Sequence, residues 1–499
     1  MIQLPAEQLI NLHRVAPEAV LCLFGIIIMI VDPFVGSAGR RALGWLAFVG
    51  ALIALASVHL SAHFPGRAYS DLISVDRFSI FAHVVVIGAA ALAILGSLDY
   101  LDGEGLQRGE YYALVLFATA GMGILAGANE LVTAFIGLEM SSISSYVLAG
   151  FRRRALPSNE ASVKYFLLGS FATAFFLYGI AMVYGATGTT LIDRIQAFYL
   201  GLAAPERIPA LAMLGLGLIF VGLGFKVVAA PFQAYAPDVY EGAPTPVTAL
   251  LASAPKAATF ALMLRIFFVS FGSAAHVWFW AIWISAVLTM LIGNLGALVQ
   301  TNVKRMLAYS SIAHAGYILV AFAASTDLGI AAVLFYLAAY VLMKVGAFLV
   351  VTHLGQRGEQ RLAIEDYAGL GSRQPALAAC FSLFLLSLLG LPATGGFLGK
   401  FFAFQSALDA HTIHGTWIIW LVVIAAINSV IGAYYYLRVV IAMYFWQPSN
   451  DYTPTAVAPA LSAALFVAAA GTLYLGLLPN RVLALAKAAA DSLPLVALR

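Results

Sequence analysis

Runs of roughly twenty mainly apolar residues, the length that carries a helix across the hydrocarbon core of a bilayer, recur along this chain from end to end. The linkers between them are short, and they leave no room for a soluble domain. Of 499 residues, 62% are hydrophobic and 10% charged, against about 45–50% and about 25% in a soluble globular chain. So few charges cannot cover so much apolar surface in water. Composition therefore excludes a soluble enzyme and a disordered protein. A net charge of +3 without a basic stripe also excludes a nucleic-acid binder, which must neutralise a phosphate backbone. Cys22 and Cys380 lie far apart in apolar stretches, giving neither a disulfide framework nor a zinc or iron–sulfur spacing.

A sliding window finds about fourteen such segments. They fall near 17–35, 42–60, 78–98, 111–128, 131–151, 161–184 and 211–230, then 247–271, 277–299, 306–324, 328–353, 376–407, 417–446 and 457–478. A β-barrel would instead alternate in stretches of about ten residues. The chain thus reads as an all-α integral membrane protein. Its first segment does not read as a cleaved signal, because Glu7 and Glu18 flank it and no basic start or small-residue cleavage site is evident. Basic residues sort by loop. Loops after odd segments carry Arg40, Arg41, Arg108, Arg152, Arg153, Arg154, Lys304, Arg305, Arg357, Arg361 and Arg373, whereas even loops hold only Arg67, Arg77, Arg194 and Arg207. Positive charge accumulates on the cytoplasmic side, so both termini are expected on the opposite side.

With charges scarce, those inside the spans are informative, because each costs at least about 2.5–3.5 kcal/mol at mid-bilayer unless it faces a cavity or a partner. They are Glu139, Lys164, Lys226, Lys256, Arg265, His314, Lys344 and Lys400. Snorkelling or helix-stitching pairs would account for one such residue, and Arg265, late in its segment, reads as an anchor. A series over consecutive spans suits proton movement instead, since a buried lysine can release its proton where an arginine cannot. Glu139 is the natural counter-charge for a neighbouring lysine.

Two segments are interrupted. The seventh carries Lys226 and breaks at Pro231, followed by Pro237, Gly242, Pro244 and Pro246; the twelfth breaks at Pro392, Gly395 and Gly396 before resuming with Lys400. Such breaks are tolerated at membrane depth only where protein or water satisfies the freed backbone, and in transporters they mark the site. Ser141-Ser142-Ile143 with Tyr146 parallels Ser310-Ser311-Ile312 with Tyr317. Lys164 parallels Lys344, and broken segment seven parallels twelve. Five segments separate each pair, an odd number that inverts the topology. The expected organisation is 1–110 (spans 1–3), 111–271 (a first repeat, spans 4–8), 272–446 (an inverted second repeat, spans 9–13) and 447–499 (span 14 and tail).

Three strings carry a resemblance: Asp238-Val-Tyr-Glu-Gly-Ala-Pro-Thr-Pro-Val-Thr248, Lys304-Arg-Met-Leu-Ala-Tyr-Ser-Ser-Ile-Ala-His314 and Leu391-Pro-Ala-Thr-Gly-Gly-Phe-Leu-Gly-Lys400. They resemble signatures of the antiporter-like subunits of respiratory complex I, and the first is most similar to the subunit N branch of NADH–quinone oxidoreductase. The resemblance implies that Glu139 and Lys226 pair in the uptake half of a proton channel, with Lys164 nearby. It implies that Lys256 relays along a central axis, that His314 lies between the half-channels, and that Lys400 serves the exit half. Lys344 is carried over less directly, because that branch often has an uncharged residue there. Gln233, Tyr235 and Pro255 depart from the pattern; Pro255 removes a backbone donor and can bend its helix. The resemblance further implies a bacterial inner-membrane location, other complex I membrane subunits and lipids as partners, no cofactor on this chain, and NADH and quinone bound elsewhere. A multisubunit sodium/proton antiporter component would share the lysines, and a proton-inert scaffold is a third reading.

Several weaker signals point to packing. Gly399-Lys400 is followed by Phe401, so it is not a phosphate loop. Gly215, Gly217, Gly222 and Gly224 suit close helix contact. His59 and His63 lack a nearby carboxylate for a metal. Trp278, Trp280, Trp417 and Trp420 read as interfacial belt residues.

Overall fold

The structure, a computed structural model, describes residues 6–36, 39–202, 208–355, 357–447 and 454–495; Arg207 of the sequence reading lies outside them. Among these residues, thirteen helices are long and apolar enough to cross a membrane, from Ala16–Phe34 to Pro459–Leu477. They coincide in order with the expected segments, except that the twelfth is built from two shorter helices, Pro375–Leu389 and Gly395–Asp409. A helix satisfies its own backbone hydrogen bonds, which is why this architecture suits a hydrocarbon solvent. The eighth, tenth and eleventh spans (Thr245–Ser270, Val303–Ala323, Asp327–Leu354) are buried along nearly their whole length, whereas the first, sixth and thirteenth turn much of their surface outward. The buried three form the core around which the rest are arranged.

Loop contacts sort by parity. Glu104, Arg152, Lys304 and Glu359, from the loop ends that follow odd spans, meet at one end of the bundle. At the other end Arg14 bonds the carbonyls of Phe64 and Pro65, Arg67 pairs with Asp193, and Arg265 with Asp76. The basic loops are thus not simply solvated. Lys304 is fully buried, 2.8 Å from Glu359 Oε2, and Arg152 stands 3.4 Å from the same carboxylate.

Further departures refine the expectation. The eighth span is not continuous: one helix ends at Leu251 and the next begins at Ala254, with Pro255 in its first turn, where a missing N–H costs no helical bond. Trp278 is buried rather than interfacial, its indole donating to Phe271 O at 3.0 Å; Trp280 and Trp417 do cluster on the exposed surface. Glu18 does not flank the first span but lies buried within it, 2.5 Å from His83 Nε2. A short hairpin, Gly66–Ala68 paired with Ile73–Val75, interrupts the all-helical pattern in the second loop. Of the glycines of span seven, Gly215 and Gly222 do serve packing against span six, where a side-chain carbon would reach 2.9 Å from the Gly179 carbonyl and 3.0 Å from that of Ala172, whereas Gly217 has nothing within 4 Å.

Candidate functional site

The seventh span, Ala210–Val227, places Lys226 at its last turn and stops because Val228 adopts a left-handed conformation (φ 59°). The chain resumes as Ala236–Gly242. Ninth-span hydroxyls satisfy the freed backbone: Ala230 N donates to Thr289 Oγ1 at 2.7 Å, and Ser285 Oγ donates to Ala230 O at 2.7 Å. Lys226 Nζ donates to Tyr165 Oη at 3.2 Å and lies 5.5 Å from the Tyr146 ring. Glu139, on the fifth span, is partly buried and makes no ion pair with Lys226. Aromatic side chains occupy this region, with Tyr235 stacked between Phe225 and Tyr165 at centroid separations of 4.1 and 5.2 Å.

The break in the eighth span sets Lys256 at the start of a helix, aimed at the tenth. Its amine donates to Ser311 O at 2.6 Å and to Ser311 Oγ at 2.5 Å. Ser311 Oγ lies 2.6 Å from Tyr340 Oη, which donates to the carbonyl of Ala252 freed by the break. One turn along the tenth span, His314 holds two tyrosines, Tyr336 at Nδ1 (2.9 Å) and Tyr436 at Nε2 (3.2 Å). Tyr436 in turn bonds Ser310, and Ser310 Oγ accepts from Lys344 Nζ at 3.0 Å. Lys256, His314 and Lys344 are at most 1% exposed. The structure therefore gathers them into one hydroxyl-rich cluster. Each hydroxyl in it can both donate and accept, the property a proton relay requires.

Lys400 adjoins this cluster. The first half of the twelfth span ends at Gly390 (φ 98°), and Lys400 Nζ reaches back to the orphan carbonyl of Leu389 at 2.8 Å while also donating to Ser429 at 2.8 Å. Its amine stands 4.6 Å over the Tyr317 ring, and Tyr317, Tyr435 and Asn428 all bond Asn294. Lys164 is not part of the buried row. It is partly exposed and pairs with Glu160 at 2.6 Å and Asp238 at 2.7 Å, and Arg305 bridges Asp238 and Glu241.

The sequence reading passed over Tyr336, Tyr340, Tyr436 and Asn294. A usable signal existed: Tyr336, Tyr340 and Lys344 repeat every fourth residue on one helical face. Among the described residues, no three His, Cys, Asp or Glu side chains converge as a metal-binding group.

Residues 128–432 match the family model described as NADH:quinone oxidoreductase/Mrp antiporter, TM. That description spans two kinds of complex. The curated NADH-quinone oxidoreductase subunit N 2 of Koribacter versatilis is 48% identical over 493 residues, covering 97% of this chain and 98% of its own. The chain belongs to the NADH–quinone oxidoreductase subunit N family. The chain is also similar in three dimensions to a chain of respiratory complex I from Thermus thermophilus with bound aureothin, at 36% identity and TM-score 0.79, covering 94% of this chain and 99% of that one. A chain of the Mrp complex from a Dietzia species reaches TM-score 0.82 at only 23% identity, covering 96% and 97%, and shares the fold. In this chain the second and third strings end on His314 and Lys400, and the first follows the break after Lys226.

Proposed function

We propose that this chain, a multi-pass membrane subunit of NADH–quinone oxidoreductase in bacteria, carries protons across the membrane along Lys226, Lys256, His314, Lys344 and Lys400. Redox chemistry on other subunits drives it. The observation that carries the reading is two hydrogen-bonded groups, Lys256 with Ser311 and Tyr340, and His314 with Tyr336, Tyr436, Ser310 and Lys344, which meet where the His314 and Tyr340 rings stand 5.4 Å apart. A helix-stitching role would need one acceptor per amine, not a chain of groups that each donate and accept. The helix breaks at Pro231, Pro392, Gly395 and Gly396 support two half-channels, with 111–271 as the uptake unit and 272–446 as the exit unit. Glu139 then acts on Lys226 at a distance, beside Tyr146, and Lys164 belongs to an ionic group at the uptake end. Both termini lie on the non-cytoplasmic side, and this chain holds no redox centre.

The identity to subunit N relatives favours this reading over a sodium/proton antiporter component, whose likeness rests on fold. Replacement of Lys256 by Met in the intact complex tests it in inverted vesicles. The expected result is assembled complex with a reduced NADH-driven pH gradient per NADH oxidised. Assembly with an unchanged ratio for both Lys256→Met and Lys226→Ala would overturn it in favour of a scaffold.

A further inference from the structure

Two recesses meet at the end of the bundle that carries Asp76 and Arg265. One is an apolar groove of about 810 Å³ between the second, third, eleventh and fourteenth spans and the helix Asn480–Ala490, with Leu52, Val84, Val467 and Leu485 exposed on its walls. The other is a polar cavity of about 580 Å³ whose lining includes Arg67, Asp76, Asn129, Arg265 and Asp491. Arg77 and Ala488 line both, so the two are compartments of one recess. Val482, Leu485 and Ala488, three residues apart, turn one stripe of Asn480–Ala490 into the groove, while Arg481 and Lys487 are exposed. This is the pattern of a helix lying in a membrane interface.

The polar compartment carries unmet donors. Arg265 is fully buried; its Nη1 and Nη2 bind Asp76 at 2.9 and 3.1 Å, but its Nε has no acceptor. Arg67 Nη1 is also buried without a hydrogen bond, although Asp193 stands 3.2 Å away. Arg77 is exposed and has no ion-pair or hydrogen-bond partner among the described residues. Asp76 pairs with Arg265 and Asp193 with Arg67, so Arg77, at the junction of the compartments, is the arginine there without an ion pair among the described residues. A free anion would use only the polar compartment. The ligand that uses both has a phosphate beside arginines, which bind it through directed N–H groups, and hydrocarbon chains, each buried CH₂ contributing about 0.8 kcal/mol.

We infer that this recess binds one anionic glycerophospholipid, its phosphate at Arg77 and its acyl chains in the groove. A phosphatidylglycerol carrying a diazirine near the end of one acyl chain, incorporated into vesicles with the whole complex, tests this by photolabelling and peptide mapping. The expected labels fall on the third span and on Asn480–Ala490, with excess inorganic phosphate unable to suppress them. Arg77→Ala should cut labelling roughly tenfold, the effect of losing one charge-assisted contact. Val84→Trp, which fills the groove and leaves the arginines in place, should remove it as well. Neither residue touches the proton path, so NADH oxidation reports an intact complex, and Val84→Trp decides the matter if Arg77→Ala fails to assemble. Unchanged labelling in either assembled variant, suppression by inorganic phosphate, or an unlabelled wild-type groove covered by a neighbouring subunit would each overturn the proposal.

Discussion

Glu359 shows how much one carboxylate can hold. Its Oε1 accepts from Tyr100 Oη, Thr245 N and Thr245 Oγ1, each at 2.7 Å, and its Oε2 faces Lys304 at 2.8 Å. Burial pushes its carboxyl upward, but the Lys304 charge and the bonds from Lys304, Thr245 and Tyr100 outweigh that and hold it below the usual range. A carboxylate depressed in the folded protein stabilises above its ordinary pKa of about 4.3 and loses that contribution as pH falls through the lower folded value. Acid should therefore loosen this end of the bundle only below about pH 4, read as exposure of the Gly355–Tyr367 region to proteolysis in detergent. Glu359→Ala leaves Lys304 buried and unpaired, a loss of about 3–5 kcal/mol. The expected outcome is a lowered melting temperature and poor assembly at neutral pH, with Glu359→Ala, Lys304→Met losing less than the single variant.

At the scale of elements, the interrupted twelfth span depends on one close approach. At Gly396 a side-chain carbon would lie 1.9 Å from the Ser387 carbonyl oxygen and 3.0 Å from Met343 Sδ. No backbone can absorb that without parting the two half-helices, and their separation would take Lys400 from the Leu389 carbonyl. Gly396→Ala is expected to cost at least about 1–3 kcal/mol and to impair proton pumping, measured as the pH gradient per NADH oxidised. Gly217→Ala, a glycine with nothing within 4 Å in the continuous part of the seventh span, should be neutral or stabilise its helix by about 0.5–1 kcal/mol. Equal effects from the two would show that the close approach does not govern the break. Both interruptions were legible in the order of prolines and glycines. The third, at Ala252 and Ser253, was visible only as Pro255 before Lys256, because helices also accept proline in a first turn.

Across the whole molecule, the proposed path runs in series from Lys226 to Lys400 through the core of the eighth, tenth and eleventh spans. Groups in series share one bottleneck, so their losses should not add. Lys226→Ala and Lys400→Ala are each expected to lower the proton-to-electron ratio, and the double variant to lower it no further. Additive loss, measured in proteoliposomes containing the whole complex, would instead mean that the two lysines serve separate routes.

Sequence alone determined the solvent, the element type and the depth of the informative charges. Those follow from local quantities: the length of each apolar run, the scarcity of charge and the positions of helix-breaking residues. It also placed every member of the lysine row in the chain. Only the tertiary structure decided which of those residues meet. His314 and Lys344 are joined through Tyr436 and Ser310, with Lys256 beside them on Ser311 and Tyr340, whereas Lys164, equally marked in the sequence, pairs with Asp238 in a partly exposed ionic group. Lys304, read as a basic loop residue, is buried against Glu359, and Glu18 against His83. The physical reason is that helices apolar on nearly all sides carry no moment to say which face turns inward. Pairing between them is then set by how the spans pack, through contacts that join residues hundreds of positions apart.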